Sequence, residues 1–242
     1  MDTASDTLTD DLLTRGNSGG RERDPLPGDI RLAAVGALLV VSSGLLLRRS
    51  TIDLPLTLGM HTLDHGIAGS VASGIYAALE PLWALGLLCG LVAVVTWRQG
   101  LRSGARLGVS VTIAWLPVWV VKMLVDRPRP ALPGAVHILS DPSFPSGHTA
   151  FVAILTLALW GMVADPQLRR VCAIAGILST TAMAVSVLVL GHHYPTDVLA
   201  SIVWSITVMP LARRLGDTAT PLLPAGPWAH DGSSTERSLP DA

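Results

Sequence analysis

Six apolar stretches, each near the length of a membrane-crossing helix, divide this 242-residue chain and leave little of it for a water-soluble fold. They run approximately Ile30–Leu47, Val71–Trp97, Ala105–Val121, Gly147–Ala164, Val171–Leu190 and Thr196–Leu211. A spanning helix takes about 20 mostly apolar residues, so the shorter stretches gain their weight from the set. Open strand edges are excluded in lipid because their backbone groups would go unpaired. The expected fold is therefore all-α, a bundle of six transmembrane helices. Charge supports it: charged residues make up 14% of the chain and mean hydropathy is +0.50, whereas soluble domains are about a quarter charged.

Residues 1–29 and 215–242 are polar and lack an apolar core, so both read as disordered tails around a membrane domain at 30–214. The first tail has no signal-peptide pattern. A net charge of -1 gives no reason to expect nucleic acid as a partner. Cys89 and Cys172 lie in apolar runs and read as small buried hydrophobes. Lys122 is the only lysine, and this arginine bias suggests a GC-rich bacterial source.

Arginines in short connections set the orientation. Arg98, Arg102 and Arg106, then Arg169 and Arg170, then Arg213 and Arg214 fall on one side if the spans alternate. That side is expected to be cytoplasmic, together with both termini. Arg48 and Arg49 fall on the other side, against the rule. The broken segment Ser50–Ser70 reads as an interfacial turn with an amphipathic helix, and its His61, Asp64 and His65 as surface residues. Glu80-Pro81 interrupts the second span and reads as a kink facing a polar interior or lying at shallower depth.

Three polar clusters fall on the outer side: K-M-L-V-D-R-P-R-P (122–130), D-P-S-F-P-S-G-H-T (141–149) and G-H-H-Y-P-T-D (191–197). In the second, Ser146 suits a helix N-cap, Gly147 permits close approach to the backbone, and the free N–H groups of a helix start attract anions. His148 would stand beside the anion. In the third, His193 and Asp197 are four apart, and a carboxylate can hold one imidazole nitrogen while the other attacks. An interfacial histidine with a capping aspartate is the other reading. Pro195 is expected to start the helix, with His193 just before it. His192 reads as a supporting or water-facing residue. In the first cluster Lys122, Arg127 and Arg129 suit phosphate oxygens or, alternatively, lipid headgroups. Asp126 is expected to pair with an arginine.

Together the clusters resemble the type 2 phosphatidic acid phosphatase superfamily, the lipid phosphate phosphatases, whose core also occurs in vanadium-dependent haloperoxidases. The family pattern is K-x6-R-P, P-S-G-H and S-R-x5-H-x3-D. Lys122, Arg129 and Pro130 match the first part, Pro145 to His148 the second, and Ser186, His193 and Asp197 the third. One position departs: Val187 stands where the family has a phosphate-binding arginine. Arg127 or His192 are the candidates to replace it.

The resemblance implies a bacterial plasma-membrane phosphatase acting on a polyprenyl or glycerolipid phosphate or diphosphate at the outer face. It implies His193 as nucleophile, Asp197 as its orienting carboxylate and His148 as general acid and base. Lys122, Arg129, Ser146, Gly147 and Arg127 would hold the phosphate, with no cofactor or metal. The competing expectation, motivated by Val187, is a binding or transport protein that has lost turnover. Oligomeric state is not legible in the sequence.

Overall fold

The computed structural model describes residues 26–132 and 140–223. Among them are eight helices: α1 Leu26–Leu47, α2 Leu54–His61, α3 Gly66–Ala77, α4 Pro81–Gln99, α5 Leu101–Val125, α6 Gly147–Trp160, α7 Pro166–Val189 and α8 Pro195–Ala219. Five, α1, α4, α5, α7 and α8, are long and apolar enough to cross a membrane. Their outward faces carry large apolar side chains such as Leu46, Leu82 and Ile177, which need a lipid environment. The all-α membrane bundle is as expected, but five helices rather than six reach spanning length.

Two expected spans differ. Val71–Trp97 is not one helix but α3 and α4, broken at Ala78–Glu80. Pro81 is the cause: its ring disfavours helical geometry in the preceding residue, and Glu80 is extended with ψ 153. The fourth is α6, only 14 residues long. It is the centre of the bundle, packed on by α5, α7 and α8, with α1 outside α8 and α4 outside α5. Phe151, Ile154 and Ala158 of α6 are buried in the main core with Val118 of α5 and Trp204 of α8.

Close packing uses small residues, as is usual where lipid supplies no hydrophobic drive between helices. Gly36 of α1 lies directly against Thr207 of α8, and Gly176 of α7 against Thr156 of α6, with no room for a Cβ at either glycine. On α8, Ser201 and Ser205 donate to the carbonyls of Ser146 and Ala150 (2.8 and 3.4 Å), locking α8 to the first turn of α6.

The expected tail boundaries also shift. Leu26–Asp29 belongs to α1 and Leu215–Ala219 to α8. Asp29 pairs with Arg214 and Arg106 with Asp217, and Arg213 donates to the Gly161 carbonyl. These contacts gather one end of the bundle. The remainder of both expected tails, 1–25 and 224–242, lies outside the described residues.

The cysteines are less buried than expected: Cys89 is exposed on the lipid-facing surface of α4 and Cys172 is half-buried. The misplaced Arg48 has a partner, since it pairs at 2.5 Å with Asp126, the residue that ends α5. Asp126 sits in the left-handed region at φ 48 and stops the helix there.

Candidate active site

All three polar clusters meet at the end of the bundle opposite the Arg106–Asp217 contact. Each is positioned by a helix terminus. Lys122 stands in the last turn of α5. Ser146 caps α6, accepting from the Thr149 N–H at 3.4 Å, which brings His148 into the first turn. Pro195 begins α8 as expected, with His193 just before it.

His193 and His148 line one cavity of about 270 Å³, together with Lys122, Arg129, Asp141 and Gly147. His193 is 1% exposed. Its Nδ1 lies 3.4 Å from Oδ2 of Asp197, and its Nε2 lies 3.3 Å from Nη1 of Arg129. Burial drives the His193 pKa down to about 3, helped by the charges of Arg129 and Lys122 and opposed by the Asp197 hydrogen bond. The ring is therefore an uncharged base at neutral pH. The Nε2 of His148 has no hydrogen-bond partner among the described residues.

Asp197 is fully buried and anchored from three sides. It accepts from the Tyr194 N–H at 2.9 Å and from Arg127 Nη1 at 2.7 Å, besides facing His193. Arg127 therefore does not take the expected place among the phosphate-binding groups. It lies behind Asp197, 1% exposed, stacked at 4.0 Å on the Tyr194 ring and reaching Asp53 at 3.4 Å. Thr196 hydrogen-bonds Asp53 as well. The reason is electrostatic: two buried carboxylates, Asp197 and Asp53, require a buried cation.

Ser146 also differs. Its side chain is fully buried and its hydroxyl is directed to Thr149 rather than the cavity. Gly147 does line the cavity, and among the described residues a Cβ there would meet only the Cε of Lys122, at 3.7 Å. Val187 is fully buried in an apolar cluster with Val152, Met183 and Val198. His192 is 8% exposed, not water-facing, and its carbonyl accepts from Arg129 at 2.6 Å. His61 contacts the Val189 carbonyl at 3.0 Å, and neither it nor Asp64 nor His65 lines the cavity.

Asp141 carries the most information that the motif reading left unused. Its carboxylate bridges Lys122 Nζ and Arg129 Nη2, each at 2.8 Å. Burial would raise its pKa, but the hydrogen bonds and charges of Lys122 and Arg129 prevail and hold it at about 2. A carboxylate thus engages both of these cavity-lining cations. Asp53, Glu80 and Tyr76 were also not assigned to the site. Tyr76 packs on His148 at 4.3 Å and on His192 at 4.7 Å between ring centres. Among the described residues no group of three or more His, Cys, Asp or Glu side chains could hold a metal ion.

A family model described as the PAP2 superfamily matches residues 103–221. The chain is 30% identical over 141 residues to undecaprenyl-diphosphatase BcrC of Bacillus subtilis, covering 55% of this chain and 70% of that one. It is 34% identical over 101 residues to decaprenylphosphoryl-5-phosphoribose phosphatase of Mycolicibacterium smegmatis, covering 40% of this chain and 52% of that one, about half its length. The fold is similar to the crystal structure of a transmembrane PAP2 type phosphatidylglycerolphosphate phosphatase from Bacillus subtilis. There the TM-score is 0.66 at 18% identity, over 80% of this chain and 98% of that one.

Proposed function

From the premise that this chain belongs to the PAP2 superfamily, we propose that it is a membrane phosphatase that removes phosphate from a polyprenyl or glycerolipid phosphate through a phosphohistidine. The observation that carries this reading is the single cavity holding His148, His193, Lys122 and Arg129, with Asp197 behind the nucleophile.

Nε2 of His193 attacks phosphorus, and the N–P bond forms as the P–O bond to the lipid breaks. The electron pair leaves with that oxygen, which takes a proton from His148. Water then attacks phosphorus, gives its proton to His148, and releases His193 and inorganic phosphate. Asp197 keeps the His193 proton on Nδ1 and stabilises the cationic ring of the intermediate. Lys122, Arg129 and the N–H groups at the start of α6 hold the phosphate oxygens as charge redistributes. No metal enters this scheme.

An apolar cavity of about 510 Å³ adjoins the polar one and shares Leu79 and Phe151 with it. Its lining of Ile75, Leu87, Leu155 and Met183 suits a lipid tail. The site faces outward, and both termini the cytoplasm, because the arginine-rich end formed by Arg106, Arg213 and Arg214 is the opposite one.

Phosphate release from a panel of lipid phosphates in detergent tests the reading. Release is expected from the native protein and absent in His193→Ala and His148→Ala. The apolar setting of Val187 motivates a second reading, a binding or transport protein without turnover. Measurable lipid-phosphate binding with no release from any substrate would favour it.

A further inference from the structure

The leaving-group side of the cavity has a chemistry of its own. The cavity touches two neighbours. Arg129 and Asp141 are shared with a polar cavity that also contains Arg48 and Arg49. Leu79 and Phe151 are shared with the apolar one. The catalytic cavity thus has a water end and a lipid end. A substrate whose tail occupies the apolar cavity has its leaving group at the lipid end.

The ionisable residue at that end is Glu80, set between Leu79 and Pro81 in the break between α3 and α4. Among the described residues no cation accompanies it: those lining this cavity are Lys122 and Arg129, and Asp141 engages both. Val187 lies in an apolar cluster, and Arg127 is held behind Asp197. Aromatic rings collect here too. The chain has seven tryptophans, two tyrosines and two phenylalanines, and Tyr76, Trp115, Trp119 and Phe151 all line this cavity.

We propose that Glu80 and the surrounding rings select a neutral, hydroxylated leaving group, a sugar ring bearing the scissile phosphate, over the phosphate leaving group of a diphosphate. The inference rests on the phosphatase reading and deepens it. A carboxylate accepts hydrogen bonds from sugar hydroxyls, and flat rings cover the apolar face of a sugar while few polar groups orient it. The leaving phosphate of a diphosphate would instead meet Glu80 with no cation to offset it, and like charges at close range repel. Discrimination comes from that repulsion as well as from attraction.

The test compares phosphate release from decyl glucoside 6-phosphate and decyl diphosphate by the full-length protein in detergent. The glucoside phosphate is expected to have a kcat/KM at least about tenfold higher. Glu80→Gln should reduce that ratio about tenfold, and Glu80→Lys should reverse the preference. Glu80 is exposed and makes no side-chain capping bond, so both variants should fold. A native preference for the diphosphate overturns the proposal while leaving the phosphatase reading intact. So does an unchanged ratio in both active variants. Absence of His193-dependent release from either compound, and from the lipid panel, overturns the phosphatase reading itself.

Discussion

Arg127 and Asp197, seventy residues apart in sequence, meet at 2.7 Å inside the protein. Neither is more than 1% exposed. The pair ties the segment after α5 to the first turn of α8, and through Asp197 it sets the orientation of His193.

Removing Arg127 leaves the Asp197 and Asp53 carboxylates buried without their cation. Arg127→Ala is expected to lose about 3–5 kcal/mol of stability, the usual result of breaking a buried pair from one side. Arg127→Lys should recover part of it. Thermal unfolding in detergent measures this, and a midpoint equal to the native one would exclude the anchoring role.

Asp141 holds the two cations that the proposed phosphate must engage. Asp141→Asn is expected to bind inorganic phosphate about tenfold more tightly, a gain of about 1.4 kcal/mol. Product-inhibition constants provide the measurement. Weaker inhibition in the variant would mean that Asp141 prepares the site rather than competes for it.

Gly147 borders the cavity, and among the described residues only Lys122 is within reach of an added methyl. Gly147→Ala should keep the native melting temperature and raise KM, because the methyl enters the space meant for phosphate oxygens. Loss of folding would contradict the open space there.

His193 is neutral in the folded protein, with its pKa lowered to about 3 by burial. Unfolded histidine titrates near 6.5. Between those values the unfolded chain binds more protons, so stability falls as pH drops from about 6.5 toward 3. His193→Gln is expected to flatten that dependence between pH 8 and 5. Melting curves of the two proteins that keep the same slope would remove His193 as its source.

Motif spacing made much of this site legible. Lys122, Arg129, Gly147, His148 and His193 lie around one cavity because each is tied to a helix end, and helix ends can be read from Pro195 or from Ser146. Spacing shows Arg127 as a nearby charge but not that it turns to Asp197 and Asp53. Its direction depends on Asp53, a residue in the irregular segment before α2 whose partners are remote in sequence. Glu80-Pro81 announced a break, but only the folded chain shows that the break lines the cavity of His148 and His193. Among the six expected spans α6 falls short of spanning length, and hydropathy cannot distinguish a helix bathed in lipid from one enclosed by other helices.

The shortness of α6 has a consequence for depth. Its 14 residues extend about 21 Å at 1.5 Å each, against a hydrocarbon layer of about 30 Å. In the proposed orientation, with the Gly161 end tethered to Arg213 at the arginine-rich end, the opposite tip, where His148 stands, would lie beneath the outer surface. The headgroup of the proposed substrate would then descend into a well, and water would have to follow it down.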